Sequence, residues 1–148
     1  FLAKKYGIKS KSQFIWVKTN PVPAMHKANY NCATEHIWVG SKGPSKIKNF
    51  LSFNNMNNFY VTANASAYGE TGHPTEKPLS LLKHLIEINS FPGDIVLDCF
   101  SGSGSIIVAA SEMERQYIGI EKDSIYHAES VKRLAGYQQQ TKLFRREQ

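Results

Sequence analysis

The chain has 148 residues, of which 41% are hydrophobic, and a formal net charge of +6 at pH 7. This length and composition indicate one modest globular domain. They also exclude a membrane-spanning protein, because no apolar run approaches the roughly 18 residues of a bilayer span, and the first residues lack the pattern of a signal peptide. Since the sequence starts with Phe1 rather than Met, we expect it to be part of a longer chain.

Positive charge is concentrated in the first third of the sequence. Residues 1–50 contain nine lysines and one acid, Glu35, a net charge of +8, whereas residues 51–148 contain nine basic and eleven acidic residues, a net of −2. A lysine-rich surface suits a polyanion such as nucleic acid. A plain solvated basic face fits the charge distribution equally well.

The N-terminal half predicts two strands followed by an irregular segment. The apolar run Phe14–Val17 is typical of a strand that ends before Pro21 and Pro23, and Ile37–Val39 forms a second run. Residues 44–72 alternate asparagines with aromatic residues without a clear period, which indicates a loop-like region.

The C-terminal half alternates helices and strands. We expect a helix that starts near Pro78, a buried strand over "IVLDCF" (95–100), a helix over "SIIVAASEM" (105–113) and a second buried strand over "QYIGIE" (116–121). A last helix should be capped by Asp123 or Ser124 and end at Gly136, followed by a frayed tail, with an inner face made by Ile125, Ala128, Val131 and Leu134. This order predicts an open, mainly parallel α/β sheet with an antiparallel strand pair.

The turn "LDCFSGSGS" (97–105) combines small residues with the end of a predicted strand. At such a turn a ligand meets backbone N–H groups and a helix N-terminus, and Gly102 and Gly104 would let it approach the main chain closely. Ile107 stands where a dinucleotide-binding motif has its third glycine, and the lysine of a P-loop is missing. We therefore do not expect a pyrophosphate-containing ligand at this turn.

Two acids mark the ends of the neighbouring predicted strands. Asp98 ends the first and Glu121 the second. An acid at the second position accepts both hydroxyls of a ribose, and an acid at the first pairs with a ligand ammonium group. The alternative is that both acids only cap neighbouring helices.

The cysteines and histidines give no sign of a metal or a disulfide framework. Cys32 and Cys99 are far apart, and none of the five histidines has the spacing of a zinc site. We therefore expect no metal and, by default, a reducing cytoplasmic environment.

Three motifs in one order, "HPTEKP" (73–78), "LDCFSGSGS" (97–105) and "YIGIEKD" (117–123), resemble the S-adenosylmethionine-binding half of the DNA amino-methyltransferases with the β-type motif order. Upstream, "FIWVKTNPVP" and "ATEHIWVGSK" resemble the strand pair that this family places before its target-recognition segment. The resemblance covers most of residues 14–136. It implies a Rossmann-like methyltransferase sheet and methyl transfer from S-adenosyl-L-methionine to N6 of adenine, favoured here over N4 of cytosine.

The resemblance carries cofactor-binding roles onto matching residues of this chain. It implies that three motifs bind the cofactor. The motif that closes over the methionine end contributes Thr75, Lys77 and Pro78, and the glycine-rich loop contributes Asp98, Phe100, Ser101, Gly102 and Ser103. The ribose-binding strand end contributes Glu121 and Lys122. Pro78 with its neighbours could instead be an ordinary helix start, and Phe100 could fill a core.

The resemblance also implies a double-stranded DNA partner and a missing catalytic motif. In the family an acid or amide, two prolines and an aromatic hold the flipped base; the nearest string here, "NPVP" (20–23), does not match and lies at a different family motif. We expect the true motif in an N-terminal half encoded before Phe1, so that this chain alone is inactive and its catalytic residues stay unknown.

Four segments follow from these assignments. They are a strand pair over 1–43, a short target-recognition segment over 44–72, the cofactor-binding βαβ region over 73–136 and a tail over 137–148. Asparagines in the second segment could pair with adenine or simply line a surface loop, and Trp16 and Lys18 could line the base pocket, although Trp16 also fits a strand core.

The resemblance implies a cytoplasmic enzyme encoded by a prokaryote or a phage, of a kind found in restriction–modification systems. The sequence leaves open whether it is paired with a restriction enzyme. The sequence leaves open whether it forms a homodimer. Two other classes stay open: a non-catalytic nucleic-acid-binding or degenerate methyltransferase-like protein, and a nucleotide-dependent oxidoreductase.

Overall fold

The computed structural model describes residues 2–24, 30–43, 47–65 and 76–146. The chain divides into two compact units, Phe1–Asn64 and Ala65–Gln148. Among the described helices, none combines the length and apolar character needed to cross a bilayer.

The first unit is built on a three-stranded mixed sheet. A short helix α1 (Leu2–Lys5) precedes β1 (Ile8–Lys18), which pairs antiparallel with β2 (Thr34–Lys42) and parallel with β3 (Phe59–Thr62), giving the order β2-β1-β3. A 3₁₀ turn (Phe53–Asn55) lies before β3, and Ser52 Oγ accepts from Asn55 N at 3.3 Å.

Both predicted strands of this unit exist and are longer than predicted, but the prediction of a wholly irregular segment over 44–72 is wrong. β3 lies inside that segment. This strand is too short to show a hydrophobic period. It pairs with β1, with Ile15 opposite Phe59 and Lys18 opposite Thr62, and β2 with its flanking loops lies between the two strands in sequence. A strand defined by such a distant partner leaves little local signal.

Trp16 and Phe14 form the buried centre of the first unit, with 1% and 5% of their surface exposed. Trp16 Nε1 donates to the Thr62 carbonyl at 3.2 Å, which ties β1 to β3, and the Lys18 ammonium lies 5.2 Å from the Trp16 ring centroid. Lys18 also pairs with Glu35 of β2 at 2.8 Å. These contacts agree with the strand-core interpretation of Trp16.

The second unit is a parallel βαβ arrangement preceded and followed by helices. Helix α2 (Leu79–Asn89) leads to β4 (Ile95–Asp98), α3 (Ser105–Glu112), β5 (Gln116–Gly119) and α4 (Ser124–Arg146), and β4 pairs parallel with β5. The predicted fold class, an open α/β sheet with an antiparallel strand pair, is confirmed.

Helices α2 and α3 share the core of this unit. Leu82 and Ile86 of α2 pack with Ala109 and Ala110 of α3, while Leu85 is half-buried. Val96 of β4 and Tyr117 of β5 pack against the same cluster. One face of the two-stranded sheet is thereby covered.

The prediction that β4 and β5 are buried strands is wrong for their other face. Alternate residues of a strand point to opposite sides of a sheet, and in this unit the second side exposes Ile95 (62%), Leu97 (57%), Ile118 (50%) and Ile120 (53%). Leu97 stands directly opposite Ile118 in the register. We call these four residues the open sheet face.

The last helix differs from the prediction in length and in orientation. Asp123 caps it as expected, since Oδ1 accepts from Ile125 N at 2.9 Å and Tyr126 N at 3.2 Å. However, α4 does not end at Gly136 but continues to Arg146, because a helical glycine costs only about 1 kcal/mol.

The predicted inner face of α4 is also wrong. Of its four residues, Ile125, Ala128 and Val131 are exposed and only Leu134 is half-buried. The polar residues Glu129, Ser130 and Arg133 are partly buried instead, together with Tyr126 and Tyr137. Apolar periodicity misled the prediction because this helix is held by hydrogen bonds and an ion pair.

Candidate functional site

The turn between β4 and α3 is tied to the end of β5. Ser101 N donates to the Ile120 carbonyl at 3.0 Å, and Gly104 N donates back to the Ser101 carbonyl at 2.7 Å. Gly102 (φ +48°) and Gly104 (φ +78°) both have the positive φ that glycine adopts without strain. The turn therefore needs glycine at these two positions for its backbone shape alone.

Gly104 has a second requirement, which comes from α4. A Cβ at this position would lie 2.9 Å from Ser130 Cβ. The interpretation that Gly104 leaves room for a ligand is therefore wrong: its bare Cα leaves room for a helix. Gly119 in β5 has a comparable role, since an added Cβ would lie 3.1 Å from the Ile107 side chain and 3.3 Å from Ser101 Oγ.

Asp98 at the end of β4 lies beside the start of the turn. Its Oδ1 accepts from Phe100 N at 3.0 Å. Among the residues that the structure describes, its Oδ2 accepts no hydrogen bond. Phe100 itself is 89% exposed, so its ring fills no core among the described residues.

The carboxylate of Glu121, just beyond β5, accepts a hydrogen bond from the same turn. Oε2 accepts from Gly102 N at 2.8 Å and Oε1 accepts from Asp123 N at 2.9 Å. These bonds from Asp123 N and Gly102 N lower the pKa of the Glu121 carboxyl, because they favour its charged form. The carboxylate is thus favoured in its ionised form and tied to the turn.

The turn, the end of β4 and the residues before α2 enclose one cavity of about 270 Å³. Its lining consists of Glu76, Lys77, Leu82, Asp98, Phe100, Ser101, Gly102, Ser103, Ser105 and Ile106. Six of the predicted cofactor residues therefore meet around one space, although Lys77 precedes α2 and the other five follow it.

The remaining predicted residues lie elsewhere. Pro78 occupies the N-cap position of α2, with φ −64°, where its carbonyl accepts from Leu82 N. Glu121 and Lys122 are not part of the cavity lining, but Glu121 reaches the lining through Gly102 N. Thr75 lies outside the described residues.

Sequence reasoning missed three polar residues of this region: Glu76, Ser105 and Arg133. The Glu76 and Arg133 side chains form an ion pair and are only 5% and 6% exposed, and Arg133 Nη1 donates to Ser105 Oγ at 2.9 Å. Glu76 stands inside the "HPTEKP" string, but nothing local indicates that its partner belongs to α4, the last helix of the unit.

Three asparagines of the 44–72 segment donate hydrogen bonds within their own unit. Asn57 Nδ2 donates to the Asn54 carbonyl at 3.0 Å, and Asn58 Nδ2 donates to the Gln13 carbonyl at 3.4 Å. Asn64 Nδ2 donates to the Asn20 carbonyl at 3.0 Å. These bonds favour the structural alternative for three of the six asparagines.

Comparisons with known proteins give one consistent result. The profile of the family described as DNA methylase matches residues 1–132. Among curated relatives, the Type II methyltransferase M2.DpnII of Streptococcus pneumoniae is 29% identical over 140 residues, and the Type II methyltransferase M2.LlaDCHI of Lactococcus lactis subsp. cremoris is 30% identical over 139 residues. In each case 86% of this chain aligns with 52% of the relative, so the chain spans about half their length.

A solved structure shares the fold over most of the chain. The M1.HpyAVI–SAM complex superposes with a TM-score of 0.73 at 35% identity, covering 89% of this chain and 65% of that one. The cytosine-N4-specific PvuII DNA methyltransferase, at 21% identity and a TM-score of 0.71, shows the same fold over 88% of this chain and 52% of that one.

Proposed function

The chain belongs to the DNA methylase family, and from this premise we propose that it supplies the cofactor site and the target-recognition segment of an S-adenosylmethionine-dependent DNA amino-methyltransferase. The acceptor would be an exocyclic amine, with N6 of adenine as the first candidate and N4 of cytosine as the alternative. The observation that carries the proposal is the cavity that brings Lys77, Asp98 and the glycine-rich turn together.

The residues around the cavity fit an amino-acid nucleoside. The Asp98 carboxylate, with Oδ2 available, would pair with the ammonium group of the methionine end, and the backbone of Ser101–Ser103 would contact the neighbouring atoms. Glu121, which is held ionised, would accept the ribose hydroxyls. Lys77 lines the cavity. Thr75, two residues before it, and Pro78, directly after it, would belong to the same closing motif.

Two further residues would meet the adenine. The exposed Phe100 ring offers a face or an edge for the base, and Lys122 follows Glu121 directly in sequence. Bound S-adenosylmethionine supplies an already activated methyl group on its sulfonium. This chain would therefore act by binding and orienting the donor rather than by acid–base chemistry.

The open sheet face supports an additional N-terminal half that carries the catalytic motif. Ile95, Leu97, Ile118 and Ile120 form a contiguous apolar patch in a unit whose sheet has only two strands among the described residues. Such a patch is typical of a buried interface. The chain spans about half the length of its curated relatives, which leaves room for such a half. We propose that residues 1–148 alone do not methylate DNA.

The first unit offers a surface for the DNA backbone. Lys9 and Lys11 of β1 and Lys42 of β2 are exposed, and Ile8 pairs with Lys42 while Lys9 pairs with Ser41, so these lysines share one end of the β1–β2 hairpin. The only acid in the sequence of residues 1–69 is Glu35, which is already paired with Lys18. We call these three residues, Lys9, Lys11 and Lys42, the lysine arm. Their positive charge is suited to binding DNA phosphates.

The proposed activity is tested with the full-length gene product, duplex DNA and S-adenosylmethionine labelled in its methyl group, followed by nucleoside analysis. Label in N6-methyladenine or N4-methylcytosine is the expected result and identifies the base. Label in 5-methylcytosine, or no transfer while the cofactor binds, would refute an amino-methyltransferase. Transfer by residues 1–148 alone would refute the proposed N-terminal half.

A further inference from the structure

Arg133 of α4 joins three segments that are distant in sequence. Its Nη2 pairs with Glu76 Oε1, its Nη1 donates to Ser105 Oγ at 2.9 Å, and the same Nη1 lies 3.4 Å from the Ser103 carbonyl oxygen. Glu76 precedes α2, Ser103 belongs to the glycine-rich turn and Ser105 begins α3. All three partners line the cavity, whereas Arg133 does not.

The ion pair between Arg133 and Glu76 is buried, and this burial determines how much it contributes to stability. The Arg133 and Glu76 side chains are only 6% and 5% exposed. A buried ion pair adds little stability compared with well-packed apolar residues, because desolvation of two charges offsets their attraction, but losing one partner leaves a buried charge uncompensated. The pair is therefore better explained by the geometry it fixes than by the stability it adds.

The pair also sets the charge of the cavity wall. Glu76 and Asp98 both line the cavity, and Glu76 is neutralised by Arg133. Without Arg133 the Glu76 carboxylate would be free to take a cation itself, whether Lys77 next to it or the ammonium group of a ligand. With Arg133 in place, Asp98 is the carboxylate of the lining that is left for a ligand.

We infer that Arg133 is a positioning residue for the cofactor site, which holds Glu76 and the Ser103–Ser105 backbone so that Asp98 and the turn can receive the methionine end of S-adenosylmethionine. This inference rests on the proposed function. The close approach of Ser130, one turn earlier on α4, to Gly104 supports it, because α4 then lies against the turn at Ser130 as well as at Arg133.

Arg115 provides a matched control. It is also a buried arginine, 8% exposed, with Nε 3.0 Å from Ser90 Oγ and Nη2 2.7 Å from the Ser90 carbonyl. Neither Arg115 nor Ser90 lines the cavity. Arg115→Met therefore removes a comparable buried network away from the cofactor site.

The test measures the Kd for S-adenosylmethionine by calorimetry and the KM and kcat for both substrates, using the full-length gene product with Arg133→Met, Arg133→Lys, Glu76→Gln or Arg115→Met. We expect Arg133→Met to raise the Kd and KM for the cofactor about tenfold or more (about 1.4 kcal/mol per tenfold), with a smaller change in kcat and in the KM for DNA. Arg133→Lys should recover part of the affinity, and Arg115→Met should leave the cofactor Kd within about twofold.

Two results would overturn the inference. One is that Arg133→Met and Arg115→Met weaken cofactor binding equally. The other is that Arg133→Met folds and its Kd for S-adenosylmethionine is unchanged. If Arg133→Met does not fold, Glu76→Gln decides, because it keeps the shape of the side chain: raised cofactor Kd supports positioning, and unchanged Kd contradicts it. A wild-type protein that fails to bind the cofactor would refute the proposed function instead, so the two failures are distinguishable.

Discussion

Gly104→Ala is the substitution for which the structure gives the most specific expectation. Two separate costs arise at this position. The backbone has φ +78°, where a side chain costs about 1–2 kcal/mol. The new Cβ would lie 2.9 Å from Ser130 Cβ, with Ser130 Cα at 3.4 Å, so α4 or the turn must shift. Overpacking of this kind costs about 1–3 kcal/mol.

We therefore expect Gly104→Ala to lower the free energy of unfolding by about 2–5 kcal/mol, the sum of the two costs. Gly93→Ala is the matched control. Its φ is +86°, but an added Cβ there has nothing within 4 Å, so only the backbone cost of about 1–2 kcal/mol applies. The assay is urea unfolding of both variants and of wild type under the same conditions.

A double variant isolates the steric part. Ser130→Gly removes the atom that would clash, so it should be less harmful in the Gly104→Ala background than in wild type, with a coupling energy of about 1–3 kcal/mol. If Gly104→Ala is no more destabilising than Gly93→Ala, and Ser130→Gly shows no coupling, the proposed close packing of α4 on the turn is wrong.

Three further predictions concern stability, pH and DNA. Arg115→Met should lower the free energy of unfolding by about 1.5–3 kcal/mol, the range for a hydrogen bond to a charged group, because the Ser90 and Met113 carbonyls lose their buried donor; an unchanged urea midpoint would contradict this. Burial lowers the pKa of His84, with Glu87 opposing, so the unfolded chain binds this proton more readily than the folded chain. Stability should then fall as pH drops below about 6.5, and His84→Gln should flatten that slope. Replacing Lys9, Lys11 and Lys42 by Ala should reduce the slope of log K for DNA against log salt by about 0.9 for each phosphate that is no longer neutralised, whereas Lys83→Ala, which breaks an ion pair with Glu112, should leave it unchanged.

Local sequence signals are sufficient to locate four elements of the second unit. Helices α2 and α3 and strands β4 and β5 appear where their apolar runs predict them, because each run is flanked by residues such as Pro78 or the glycine-rich turn that mark its ends. The fold class follows from the order of these elements, whereas the six predicted residues that line the cavity follow from the resemblance to the methyltransferase family.

Features set by distant partners could not be predicted. β3 depends on β1, the orientation of α4 depends on Arg133 reaching Glu76, and the exposure of Leu97 and Ile118 depends on what covers the second face of the sheet. In the same way the sequence predicts a ligand beside Gly104 because its true neighbour, Ser130, belongs to α4 and comes only after α3 and β5. Hydrogen bonds and ion pairs between segments that are distant in sequence produce no hydrophobic periodicity from which they could be predicted.

The central claim is that Asp98, the glycine-rich turn and Glu121 together form an S-adenosylmethionine site. Calorimetric titration of the full-length gene product with S-adenosylmethionine, compared with Asp98→Asn and Glu121→Gln, tests it most directly. We expect one saturable site in wild type and affinity reduced about tenfold or more in each variant, since each loses a charged acceptor. Unchanged affinity in both variants, or preferential binding of a nicotinamide dinucleotide by wild type, would contradict the claim.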